Sequence, residues 1–144
     1  MIEKLYCDSL ELPVGVGPHD GKELSLMLAG VKPVAMFYDT VPECGVIPRQ
    51  EFEPFVTSGR IMSKEVTFRR KSKAFVPAVF VFYAQPWALA EMVQLEEIHR
   101  WIYDGTCADD AKADMQIGRL LGYTHEEISV YLTWRTQMLA SVPK

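Results

Sequence analysis

Residues 75 to 84 read FVPAVFVFYA, ten consecutive residues whose only polar atom on a side chain is a tyrosine hydroxyl. A run of this kind loses free energy wherever water reaches it. It is about half the length of a membrane span. Its aromatic and β-branched content instead predicts a strand inside a folded domain. Pro77 has no N–H to give to a ladder, so it belongs near the strand start or on an edge. The preceding stretch, RIMSKEVTFRR, alternates, with Met62, Val66 and Phe68 on one face and Lys64 interrupting it. RRKSK joins the two, which predicts an antiparallel hairpin with a basic tip. An earlier segment, PVAMFYD, is apolar throughout and predicts a further strand internal to the sheet.

The rest of the chain carries helical signals. HDGKELSLMLAG offers Asp20 as an N-cap, Glu23 as its capping-box partner and Gly30 as the left-handed residue after the helix. QEFEPFVTSG predicts a helical turn with Phe52, Phe55 and Val56 inward, and Pro54 argues against a full helix. From Pro86 the period changes to that of a helix, which stops at Asp104-Gly105. A second helix follows with acids in its first turn. A third starts at Thr124, where Glu127 completes a Thr-x-x-Glu box, and runs to about Ser141. The expected architecture is α+β: an antiparallel sheet of three to four strands covered by helices, with a three-helix C-terminal half. With 144 residues, 49% of them hydrophobic, and no linker or repeat, residues 1–144 are expected to form one globular domain.

Cys7, Cys44 and Cys107 are an odd number with no CxxC, which predicts reduced thiols in a cytoplasmic protein rather than a disulfide framework. Acidic residues interrupt the N-terminus where a signal peptide would be apolar, so neither export by a cleavable signal nor a membrane partner is expected.

Residues 117 to 132, IGRLLGYTHEEISVYL, resemble the helix-turn-helix of phage-type repressors and many bacterial regulators. The matching positions are Ile117, Gly118, Leu121, Gly122, Tyr123, Ile128 and Tyr131, within 16 of the 144 residues. The resemblance implies a left-handed turn at Gly122, a close helix approach at Gly118 and DNA as a ligand. The surface chemistry argues otherwise. Opposite Ile128, Leu132 and Leu139, the third helix would show His125, Glu126, Ser129, Thr133 and Thr136. A base-reading helix would show Arg, Lys, Asn or Gln there. Residues 86 to 144 hold nine acids against five lysines and arginines, which a duplex repels. Nucleic acid therefore ranks below protein as a partner.

Charge is unevenly spread. Residues 60 to 73 hold six lysines and arginines against Glu65, while the whole chain is at −4. Arg69, Arg70, Lys71 and Lys73 crowd the hairpin tip, where they suit an acidic protein surface or simply solvate a turn. On the third helix Val130 and Trp134 extend the apolar arc, as for burial on two sides or a contact with a partner or second copy.

No P-loop, G-x-G-x-x-G, G-x-S-x-G or H-E-x-x-H occurs. Cys44, in the loop PECGV, is a nucleophile only if a base stands beside it. Glu91 and His99 fall on the apolar side of the long helix, where burial would perturb them. Cys107, His99 and Asp109 or Asp110 lack any standard metal-ligand spacing, so no metal or cofactor is expected. The expected class is a small non-catalytic interaction protein of inhibitor, immunity or adaptor type, as found in bacteria and mobile elements. Its protein partner is an acidic surface or a second copy, met through Arg69, Arg70, Lys71, Lys73, Val130 and Trp134. One alternative is a DNA-binding regulator with the hairpin as a wing. Another is an enzyme with a pocket near Glu91 and His99.

Overall fold

The apolar run becomes the middle strand of a three-stranded antiparallel sheet. The computed structural model describes residues 15–70 and 76–141. Within them Val34–Thr40 (β1) and Met62–Phe68 (β2) flank Ala78–Ala84 (β3), in the order β1-β3-β2. Val34, Ala84 and Met62 align at one end, and Thr40, Ala78 and Phe68 at the other. All seven β3 residues are buried because both faces of the sheet are covered. The β2–β3 hairpin has the predicted pairing, and Lys71 and Lys73 of its tip lie outside the described residues. β1 corrects the expectation drawn from PVAMFYD. It pairs with β3 alone and is an edge strand. Its apolar character comes from helices over both faces, not from a neighbour on each side.

One face carries Val34, Phe68, Phe80 and Phe82, packed on Leu89–Asp104 (α3) through Met92, Leu95 and Ile98. Ala111–Leu120 (α4) adds Ala113 and Ile117 to the same cluster. The other face carries Ala35, Val79, Val81 and Tyr83. It is covered by Glu23–Leu28 (α1) through Met27 and by Arg49–Thr57 (α2) through Phe52, whose ring stacks 4.0 Å from Tyr83. Each such large apolar side chain contributes about 2 kcal/mol by leaving water. The fold is thus α+β, a small antiparallel sheet between two layers of helices.

The helix ends show which local signals governed. α1 starts at Glu23 with no side-chain cap, so Asp20 is not its N-cap. Glu23 instead turns back to accept the Gly21 N–H at 3.1 Å. Gly30, at φ +78°, closes the helix as expected: its N–H donates to Met27 O and that of Val31 to Leu26 O, a Schellman pair. α2 is a complete nine-residue helix despite Pro54. The N–H that Pro54 lacks faces an exposed side of the helix, so water can serve the freed carbonyl. Pro86–Ala88 forms a 3-10 turn leading into α3, which Gly105 ends at φ +84°.

α4 is capped by Asp110, whose carboxylate accepts the Ala113 N–H at 3.0 Å. His125–Ser141 (α5) follows after a four-residue turn. The capping box is present in both directions: the Thr124 N–H donates to Glu127 Oε1 at 2.8 Å, and the Glu127 N–H to Thr124 Oγ1 at 3.2 Å. Gly122 has φ +90°, and a Cβ there would lie 2.6 Å from Pro33 Cδ. A Cβ on Gly118 would lie 2.9 Å from Ile128 Cγ1. The left-handed turn at Gly122 and the close helix approach at Gly118 are therefore present.

Candidate functional site

α3 divides sharply into two faces. At 100° per residue, Met92, Leu95, Ile98, His99 and Ile102 fall on one side and are buried against the sheet. Leu89, Val93 and Trp101 fall together on the other, with 40%, 48% and 45% of their surface in water. Trp87, in the turn that starts the helix, is 64% exposed. The two tryptophans alone leave roughly 250 Å² of aromatic surface in water. Exposed apolar patches approaching this size occur on monomers and often mark functional surfaces.

Cations flank this face where α3 meets β2. Glu96 is buried under Lys64 at 2.5 Å and Arg100 at 2.6 Å. Burial alone would push its carboxyl up, but the hydrogen bonds from Lys64 and Arg100 hold it below the usual carboxylate range. Glu96 and Arg100 thus pair across one helical turn, with the carboxylate buried. Arg69 is exposed, and the Arg70 guanidinium lies 5.1 Å from the Tyr103 ring centroid.

A second cluster lies at the other end of the sheet. Lys32 is only 2% exposed. Its ammonium donates to Leu121 O at 2.6 Å, lies 2.8 Å from His19 Nδ1 and sits 4.8 Å from the Tyr123 ring centroid. A charged Lys32 makes Nδ1 the acceptor, which puts the His19 proton on Nε2, 4.0 Å from Glu127 Oε1. The His19 ring stacks on Tyr123 at 4.0 Å. Burial lowers the Lys32 pKa to about 8, against the raising pull of Glu23 and Glu127. Burial and the Lys32 charge lower that of His19, and burial raises that of Tyr123. With its donors engaged and almost no access, Lys32 ties the 17–22 loop, the α1–β1 turn and the α4–α5 turn together. It is not placed to meet a substrate.

Beside this cluster is a cavity of about 500 Å³ between β1, α2, α4 and α5. Its inner walls include Phe52, Ile117 and Ile128, all buried, and its exposed lining includes Asp20, Val46 and Glu51. Asp114 also lines it, and its carboxylate meets Arg135 Nε at 2.8 Å. Burial raises the Asp114 pKa and the Arg135 charge opposes that rise.

The residues singled out from the sequence do not converge. Cys44 is disulfide-bonded, which corrects the expectation of reduced thiols and removes it as a thiolate nucleophile. Cys107 is a free thiol. The Cys44 loop is organised by Asp39, which is buried and accepts the N–H groups of Thr40, Cys44, Gly45 and Val46 at 2.8 to 3.3 Å. His99 is buried among Phe68, Phe80 and Phe82, with Nδ1 2.7 Å from Leu95 O, and burial lowers its pKa. Glu91 is half-buried, and its Oε2 has no hydrogen-bond partner among the described residues. Neither Glu91 nor His99 lines the cavity. Among the described residues no group of three His, Cys, Asp or Glu side chains is placed to hold a metal ion.

On α5, Val130 is exposed and Trp134 half-buried, its ring 5.7 Å from that of Tyr131. The face a DNA reader would use shows His125, Glu126, Ser129, Thr133 and Thr136, all exposed. The start of α5 lies at the Val34–Ala84 end of the sheet, through Gly122 on Pro33, whereas Arg69 follows Phe68 at the opposite end. Seven-residue strands separate those ends by about 20 Å. Sequence reasoning missed the outer face of α3. The spacing of Leu89, Val93 and Trp101 by four and then eight residues, opposite the apolar core positions, was the signal that could have found it. Among the described residues no helix is long and apolar enough to cross a membrane. No protein-family model, curated protein or solved structure matches this chain.

Proposed function

We propose that this chain is a small non-catalytic interaction protein whose protein partner docks on the outer face of α3. The observation that carries the reading is the exposure of Leu89, Val93 and Trp101 on the side of α3 away from the sheet, with Trp87 exposed in the turn before the helix. Tryptophan is over-represented among residues that dominate binding energy, because it brings a large rigid surface at low entropic cost. Lys64, Arg69 and Arg100 supply a charged rim that steers encounter more than it adds affinity. On this reading Arg69 and Arg70, which follow β2, would be peripheral contacts. Val130 would be a secondary contact on α5.

The test is capture of partners from the source cell by the parent and by a Trp87→Ala/Trp101→Ala double variant. Both residues are substantially exposed, so the variant is expected to keep the parent's circular dichroism and urea midpoint. A partner held by the parent and lost by the variant is the expected result. Capture that is unchanged in a folded double variant refutes the reading.

A further inference from the structure

We propose that the open edge of β2 takes an extended acidic peptide as a fourth strand of the sheet. The proposal stands on β2 and does not rest on the tryptophans beside α3. In an antiparallel pair every second residue turns its N–H and C=O away from the partner strand. β2 pairs with β3 on one side, and among the described residues no strand or loop pairs with its other side. Met62, Ser63, Lys64, Glu65 and Thr67 are all exposed. β1 is the opposite edge, and there every residue is buried or half-buried. The outward N–H and C=O groups of β2, repeating at strand spacing, are matched by another extended chain, as in peptide recognition by strand addition.

Charge selects the peptide. Lys64 and Arg100 meet over Glu96, and the Arg100 guanidinium lies 5.6 Å from the Phe68 ring centroid. Lys64 and Phe68 belong to the same side of β2, so α3 lays its cation along that side of the strand. Arg69 follows and is exposed. From Lys64 to Arg69 the cations extend over about 17 Å, the length of five extended residues. Lys64 and Arg100 keep 49% and 54% of their side chains in water, so each can meet a second carboxylate besides Glu96. An added strand turns every second side chain to this side, so acids at alternate positions face the cations. Glu65 is the one acid of β2, and it points to the other side of the sheet, where Arg49 holds it at 2.5 Å. The same cations oppose a second copy, because a β2–β2 pair would bring Lys64 and Arg69 of two chains together.

The experiment is fluorescence anisotropy of the full chain with three labelled peptides of about ten residues. The first alternates glutamate and valine. The second has lysine in place of glutamate. The third repeats the first with every second backbone amide N-methylated, in both registers, so that it cannot complete a ladder. The first is expected to bind in the range of tens of micromolar, and the other two at least about tenfold more weakly. Arg69→Glu and Lys64→Gln, each checked for folding by circular dichroism, should weaken the first peptide about tenfold and about threefold. Arg69 is exposed, so its variant decides the matter even if Lys64→Gln does not fold. No binding of the first peptide up to about 300 μM overturns the proposal. Equal binding of the lysine peptide overturns the choice of an acidic partner. Equal binding of the methylated peptide shows attraction by charge without strand addition, and overturns it as well. So does an affinity for the first peptide that Arg69→Glu leaves unchanged.

Discussion

Lys32 holds an ammonium where almost no water reaches it, and that arrangement leaves a thermodynamic trace. Its pKa falls from 10.5 to about 8 on folding, because burial costs the charged form more than Glu23 and Glu127 return. Each unit is worth 1.36 kcal/mol, so folding with a charged Lys32 costs about 3 kcal/mol relative to folding with a neutral one. Between the two pKa values the unfolded chain still binds the proton and the folded chain has released it. The unfolded state then holds more protons, so stability rises with pH across that window. From about pH 7 to about pH 9.5 the gain should be about 2 kcal/mol. Lys32→Met keeps most of the stem volume and removes the titration. Urea denaturation of parent and variant at both pH values separates this group from all others, since the remaining groups titrate in both proteins. Stability of the parent should rise relative to the variant by about 2 kcal/mol over the interval. Parallel profiles would refute the reasoning, because they would mean that Lys32 ionises as it does in water and is not enclosed by His19, Tyr123 and Leu121.

Two local predictions follow from the caps and the loop. Thr124→Ala removes one half of the α5 capping box and should lower stability by about 1 kcal/mol with the helix content unchanged, read as a shift of the urea midpoint. Asp39→Ala strips four backbone N–H groups of their acceptor and should cost about 3 kcal/mol in the same assay. Asp39→Asn should recover little of that loss, because an amide NH₂ placed where Oδ2 now accepts three N–H groups would face donors with a donor. An asparagine variant as stable as the parent would show that the carboxylate does not organise the loop.

Much of the helical half was legible because its determinants lie within a few residues of one another. Thr124 and Glu127 form the box that their spacing announces, and Gly122 takes the left-handed turn because a Cβ would strain the backbone there. The failed cap at Asp20 has a physical reason too. Glu23 found the Gly21 N–H, and the loop was drawn to the Lys32 cluster instead of closing a capping box. Legibility ended where two segments distant in the chain had to be known together.

The sequence by itself determined where the strands and most of the helices form, α2 with its internal Pro54 excepted, since hydrophobic period and turn residues act locally. Only the tertiary structure decided that β1 is an edge strand, because a segment covered on both faces reads the same in the middle of a sheet as at its rim. Only it buried Lys32, whose partners stand 13 and 89 residues away. It also left Trp87 and Trp101 in water. A helical wheel shows that α3 has apolar residues on two sides, but which side is covered depends on where every other element packs. Here the sheet takes one side, and no described element takes the other.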